Sequence, residues 1–158
     1  MKKLRPVLFL MAVLVGLLSC KKDDKTSLTK TEMLTGKYWI TTSMTVSPAV
    51  MVAGTPITDI WAQADACSKD DLQKFDTPNL FTADEGATKC DVNAPQTTTG
   101  TWSFNSDQTV ISVTQGTDTY SYNIINLSES EFKASYQELI DLGAGSLNYT
   151  FTFTAKVK

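Results

Sequence analysis

The sequence predicts an all-β domain of short antiparallel strands, a barrel or a sandwich, preceded by a short helix. Three observations lead there. Apolar and polar residues alternate with a period of two in several segments, most plainly in the last one, where Leu147, Tyr149, Phe151, Phe153, Ala155 and Val157 are spaced by Asn, Thr and Lys. Turn-forming groups separate these segments at short intervals: Asp76-Thr77-Pro78-Asn79, Asp84-Glu85-Gly86, Asn105-Ser106-Asp107 and Gly116-Thr117-Asp118. The stretch that carries them, residues 28–158 of 158, suits one domain with one core. Closing about eight such strands into a barrel removes the exposed edges that an open sheet would leave.

The elements follow in order. Residues 27–35 suit one or two helical turns, with Ser27 or Thr29 as the N-cap, Glu32 in the first turn, and Leu28, Met33 and Leu34 turned towards the domain. Gly36 ends the turn. The next strand places Tyr38, Ile40, Thr42, Met44 and Val46 on one parity, the expected inner face, and Trp39 on the outer one. Residues 47–71 break the alternation with Pro48, Gly54 and Pro56, and read as a long loop with a short helix near Asp59–Ala64, a plug or lid over one end. Short strands follow at Leu72–Phe75 and Asn79–Ala83. Trp102 and Phe104, then Ile111 and Val113, mark two more. Tyr120, Tyr122 and Ile124 alternate, but Ile125 and Leu127 fall on the opposite parity, which predicts a β-bulge near residue 124. Phe132, Ala134 and Tyr136 precede the final strand.

The two ends of the chain's first 27 residues have separate jobs. Lys2, Lys3 and Arg5 precede an uncharged apolar run, Pro6 to Leu18, that is shorter than the ~20 residues a membrane-crossing helix needs; residues 1–19 read as a signal peptide. Leu17-Leu18-Ser19-Cys20 resembles the bacterial lipobox, which implies cleavage before Cys20, a diacylglycerol thioether on its sulfur and an acyl chain such as palmitate on the freed amine. Residues 20–27, with Lys21-Lys22-Asp23-Asp24-Lys25, are a polar tether with nothing to bury. Lysine rather than aspartate after the cysteine favours the outer membrane. The Cys20-Lys21-Asp23-Asp24 region also resembles the export signal of surface-exposed lipoproteins of Bacteroidetes-type bacteria; as a plain linker it would carry no address.

With Cys20 committed to lipid, Cys67 and Cys90 remain, and an oxidising compartment makes them a disulfide in preference to half of a metal site that lacks histidine. Removing Lys2, Lys3 and Arg5 from the 14 basic residues leaves 11 against 17 acidic ones, a formal charge of −6. No basic cluster follows the tether, so nucleic acid is excluded as a partner.

Leu34-Thr35-Gly36-Lys37-Tyr38-Trp39 resembles the Gly-x-Trp opening of lipocalins. The lipobox, Cys67 with Lys69-Asp70-Asp71 and Phe75, Cys90, Gly100-Thr101-Trp102-Ser103-Phe104 and the Ile124–Ser128 segment together resemble the lipocalin-like lipoproteins of Bacteroidetes-type bacteria. The departures are Tyr38 where the lipocalin tryptophan would stand, Asp107-Gln108 in place of an Asp-Gly turn, and the lack of an assignable lipocalin arginine pairing. The resemblance implies an eight-stranded antiparallel up-and-down β-barrel and an apolar small molecule as ligand.

The chain has no histidine, which removes the common general base, the common zinc ligand and the Ser-His-Asp triad. Asp70-Asp71 and Asp84-Glu85 are carboxylate pairs, but sequence neighbours on a strand point to opposite faces, so they read as caps and turn residues. No enzyme activity, metal or cofactor is expected. The candidate ligand-binding residues are Tyr38, Ile40, Met44, Trp102, Phe104, Tyr120, Tyr122, Tyr136 and Phe151, with Trp61, Ile57 and Ile60 over the mouth. The same aromatics would serve as a solid core, and their number favours that. Two functions stay open: a membrane-anchored carrier of a small apolar ligand, or a filled barrel that binds a protein or glycan through its loops or outer face. An exposed Trp39 would favour the second, a wide internal cavity the first.

Overall fold

The structure, a computed structural model, describes residues 27–141 and 145–158; the expected signal peptide, Cys20 and the expected tether through residue 26 lie outside them. A short helix α1 (Lys30–Leu34) precedes nine strands: β1 (Tyr38–Val52), β2 (Thr55–Asp59), β3 (Leu72–Asp76), β4 (Leu80–Asp84), β5 (Thr97–Phe104), β6 (Val110–Gln115), β7 (Asp118–Leu127), β8 (Glu131–Asp141) and β9 (Ser146–Val157). Every pairing is antiparallel. β1 and β3 to β9 pair in sequence order, and β1 pairs again with β9, which closes an eight-stranded barrel; β2 is an extra strand on the free half of β1.

Helix α1 closes one end. Thr29 caps it in a reciprocal capping box, its side chain accepting from the Glu32 amide while the Glu32 carboxylate accepts from the Thr29 amide at 2.8 Å. The carboxylate is held below its usual range by these bonds to Thr29. Leu34 is fully buried as expected, whereas Leu28 is exposed. The Lys30 ammonium donates to the Gln108 carbonyl in the β5–β6 turn, so α1 sits against the turns of that end.

β1 corrects the expected facing of the first strand. Trp39 is fully buried and Tyr38 lies outside with the Lys74 ammonium 5.5 Å from its ring centre. The indole N–H of Trp39 donates to the Leu34 carbonyl at 2.8 Å, and its ring meets Phe132 edge-on. Opposite β9 the register runs Thr41 to Ala155 and then Ser43 to Thr154, leaving Thr42 as an extra residue. This bulge reverses the parity, so Trp39 and Thr41 face inward before it, and Met44 and Val46 after it. Tyr38 and Ile40 consequently share the outer face. A single unbroken alternation could not reveal the change, because Tyr38 and Ile40 are as apolar as the residues that point in.

The second correction concerns residues 47–71. β1 continues to Val52 and turns back as β2 through Ala53 and Gly54, whose φ angles of 48° and 84° make a two-residue hairpin of the type that matches strand twist. Pro48, which has no amide hydrogen to donate, falls where the β1–β2 register shifts between Thr45 and Val50. Only the stretch from Ile60 to Asp71 is irregular, with 3-10 turns at Trp61–Gln63 and Ala66–Lys69. The bulge expected near residue 124 is present: Ile124 faces Ala134 and Asn126 faces Lys133, with Ile125 extra.

The packed core fills the half of the barrel next to α1. Trp39, Phe75, Trp102, Phe132 and Phe153 contact one another edge-on at centroid distances between 5.5 and 6.3 Å, a geometry worth about 0.5–1.5 kcal/mol per pair beyond simple burial. Gly100 is fixed by close approach: a Cβ there would stand 2.1 Å from the Thr114 carbonyl oxygen. The corrected facing of β1 has a direct test by urea denaturation. Trp39→Phe strands the Leu34 carbonyl and should cost about 1–3 kcal/mol, while Tyr38→Phe should change stability by less than about 0.5 kcal/mol.

Candidate functional site: a cavity in the open half of the barrel

Antiparallel alternation sends the β1–β2, β4–β5, β6–β7 and β8–β9 connections to the end away from α1, together with the stretch between β2 and β3. At that end the interior is not filled. A cavity of about 690 Å³ lies there, within the range that holds small organic ligands. Phe75, Phe81, Ile111, Phe132 and Phe153 form its floor, and they are the upper surface of the core. Thr41, Met44, Ala83, Val113, Tyr122 and Tyr136 form its walls; Gln73, Gln115, Thr119, Tyr120, Ser121, Gln137 and Glu138 surround the mouth.

Of the candidate ligand residues, Met44, Tyr120, Tyr122 and Tyr136 line this cavity. Trp102 and Phe104 are instead packed in the lower half, stacked edge-on at 5.3 Å, with the Trp102 indole N–H donating to the Asp76 carbonyl. Phe151 stands behind Tyr136, stacked on it at 5.0 Å. Tyr38 and Ile40 are outside for the reason given above. Trp61 is half-buried in its 3-10 turn and does not line the cavity, so it is no lid over the mouth; the turn is tied to β1 by the Ile60 amide on the Met44 carbonyl. The expectation of a solid core is therefore met in one half of the barrel and overturned in the other.

Polar residues at the mouth were missed. Gln73 shares the parity of Phe75, Gln115 that of Ile111 and Val113, and Glu138 that of Phe132, Ala134 and Tyr136. The signal was there: each extends an inward row by one more step, where apolar character gives way to polar. Gln115 donates to the Thr98 hydroxyl at 3.0 Å. Tyr122 meets Tyr136 and Phe153 edge-on at 5.7 and 5.5 Å. Neither tyrosine hydroxyl has a hydrogen-bond partner among the described residues, and both border open space. Burial, with Tyr136 and Tyr120 alongside, pushes the Tyr122 hydroxyl up to about 12; burial, and then the Glu138 charge, raises Tyr136. Both are neutral donors at physiological pH.

The loops around the mouth are braced. Cys67 and Cys90 form a disulfide, Cα–Cα 5.2 Å, joining the segment before β3 to the β4–β5 connection. The Asp70 carboxylate accepts from the Ala87 amide and from the amide and hydroxyl of Thr88, at 2.8–2.9 Å, and the Thr88 bonds hold it below the usual carboxylate range. Asp84 accepts from the Gly86 amide and the Gln96 side chain. These carboxylates are turn clamps. Asp71 differs: one of its oxygens is buried without a partner, and burial, then Glu85, Asp70 and Asp84, raise its pKa.

Charge is divided between the two ends. Lys30, Lys37, Lys74, Lys133, Lys156 and Lys158 sit at the α1 end, balanced by Glu32, Asp76, Asp107, Glu129 and Glu131. The open end carries Asp65, Asp70, Asp71, Glu85 and Asp91 in its loops, and Asp84, Asp118, Glu138 and Asp141 at its strand ends; Lys69 and Lys89 are its lysines among the described residues.

A closed antiparallel barrel of eight strands, capped by a helix at one end and hollow at the other, is the cup-shaped architecture of a small lipocalin-like barrel. The chain belongs to the family of lipocalin-like domains, whose model matches residues 34–134. The match runs from the last residue of α1 into β8; the barrel needs β9 as well to close. Among curated proteins, no sequence matches the chain.

Asp71 gives a pH test. Its folded pKa lies above its unfolded value, so the ionised group works against folding at neutral pH, and that burden disappears as pH falls through the folded value. Asp71→Asn should therefore raise Tm at pH 7, with the gain vanishing near pH 3, in paired thermal melts. Equal gains at both values would assign the effect to packing. Reducing Cys67–Cys90, which closes a separation of 23 residues, should cost about 3 kcal/mol in denaturation run with and without reductant.

Proposed function

We propose that this protein is a membrane-anchored lipocalin-like carrier that holds one small, largely apolar molecule in the open half of its barrel, without chemical turnover. The observation that carries this reading is the cavity itself: an aromatic floor, two neutral tyrosine hydroxyls with free donors and a polar mouth, which is the combination of apolar walls and few polar groups found where small molecules bind. The buried Trp39 and the internal volume together support the carrier over a filled barrel.

The anchoring is proposed from the leader. The charged start, the apolar run and Leu17-Leu18-Ser19-Cys20 support export, cleavage before Cys20 and lipid on its sulfur, with the outer membrane as the site and the Lys21–Asp24 run as a cue for the cell surface. The residues from Cys20 to Thr29 reach about 30 Å when extended and join the barrel at its α1 end. A lipid on Cys20 would thus hold the domain by its closed end and leave the mouth free to turn away from the bilayer.

A second reading, docking of a protein partner at the open end, has one observation behind it. Met51, Val52, Leu139 and Leu147 stand 50–64 % exposed near the tips of the β1–β2 and β8–β9 hairpins.

Native mass spectrometry separates the two. Residues 27–158 purified from the native host should carry a bound small molecule, and Ala83→Trp, which fills the cavity wall, should lose it while keeping its thermal transition. A clean apo mass for the wild-type domain would move the function to the hairpin tips.

A further inference from the structure

The cavity also indicates what kind of molecule it takes, an inference that rests on the carrier reading. Among the described residues that line it, Glu138 is the sole charged side chain; no lysine or arginine reaches the interior. Glu138 extends the inward row of Phe132, Ala134 and Tyr136 to the mouth, opposite Tyr149 on β9. Its carboxylate has no hydrogen bond or ion pair with any described residue. Its charge is felt inside, since it contributes to raising the Tyr136 hydroxyl. The walls beneath it are aromatic, with Tyr120, Tyr122 and Tyr136 below and beside the carboxylate. Aromatic faces attract cations through the ring quadrupole, whereas an anion would meet one carboxylate, tyrosines that stay protonated, and no positive partner. The whole open end repeats the sign, with nine carboxylates and two lysines on the loops and strand ends around the mouth. Lys89 is turned to its own loop, donating to the Val92 and Ala94 carbonyls. Such a field draws cations towards the opening and repels anions from it.

We propose that the barrel is selective for cationic amphiphiles: an apolar or aromatic body lies on the phenylalanine floor, and an ammonium or amidinium head is held at the mouth by Glu138 and the faces of the neighbouring tyrosines. A fatty-acid-like carboxylate is the class it rejects. Gln73, on the inward row of Phe75, accepts a hydrogen bond from such a head through its side-chain carbonyl without adding charge.

The test uses three matched probes and residues 27–158, which contain every strand of the closed barrel and its core. Isothermal titration calorimetry compares 2-(1-naphthyl)ethylamine, 2-(1-naphthyl)ethanol and 1-naphthylacetate, whose ring is the same and whose head is cationic, neutral or anionic. The amine should bind tightest and the acetate weakest. Glu138→Gln should weaken the amine about fivefold, the range of a solvent-bordered ion pair, and leave the alcohol unchanged. The preference of the wild type should also shrink when ionic strength rises from about 0.01 M to about 1 M, as the Debye length falls from about 30 to about 3 Å. Glu138 is exposed and unpartnered, so its substitution does not threaten the fold. An acetate that binds as tightly as the amine, or an amine preference that survives Glu138→Gln and high salt, would overturn the selectivity and leave the carrier standing. If none of the three probes binds, the alcohol included, the carrier reading falls and the selectivity with it.

Discussion

The fold depends on one strand having to satisfy two neighbours. β1 pairs with β9 along one edge and with β3 along the other, and those two ladders are what turn a nine-stranded sheet into a barrel. To do this with its apolar side chains inside, β1 must present Trp39 at the α1 end and Met44 and Val46 higher up, an odd spacing that no regular strand can deliver. The extra residue at Thr42 resolves the conflict. It rotates the strand by one step, and the bend it brings suits a strand that must curve around a closed barrel. Trp39 then anchors α1 through the Leu34 carbonyl and meets Phe132 across the interior. The helix cap, the closed end and the edge-on aromatic core all follow from that placement.

The same arrangement accounts for the division of the interior. The lower half receives a tryptophan or phenylalanine from nearly every strand, and these rings fill it. Higher up, the inward rows continue as Ala83 on β4, Val113 on β6, and then Gln73, Gln115 and Glu138. Small or polar side chains cannot meet across a barrel of eight strands, so a volume stays open above the core. The floor of the cavity is thus also the roof of the core. Ligand contact and stability share Phe75, Phe132 and Phe153, and Ala83 and Tyr122 pack on that core as well as lining the cavity, whereas exposed Glu138 serves the cavity with little part in holding the barrel together.

The open end carries charge and bracing where the closed end carries packing. The segment between β2 and β3 and the β4–β5 connection are long, and neither contributes much apolar surface. They are held by covalent and polar means: the Cys67–Cys90 bridge and the Asp70 carboxylate on the Ala87 and Thr88 amides. Fixing the loops with carboxylates makes the rim acidic, and the lysines gathered at the α1 end leave that sign uncompensated at the mouth.

Much of this was legible in the chain. The alternation of β8 and β9, the turns, the bulge near Ile124, the Thr29–Glu32 cap and the Cys67–Cys90 pairing all depend on local pattern or on simple elimination, and local pattern is what a sequence records directly. The facing of β1, the β1–β2 hairpin and the limits of the cavity were not legible. Tyr38, Trp39 and Ile40 are all apolar, so only the pairing with β9 and β3 decides which of them points inward. Ala53-Gly54 becomes a hairpin turn because β2 has an edge of β1 to pair with. Aromatic residues read the same whether they pack or line a space; whether a volume remains above them depends on how far the rows on eight strands reach across the barrel. The sequence by itself determined the all-β class, the order of the elements outside residues 47–71 and the sign of the charge, while tertiary structure alone decided which side chains meet, because contact across a closed barrel is set by register and strand rotation between segments far apart in the chain.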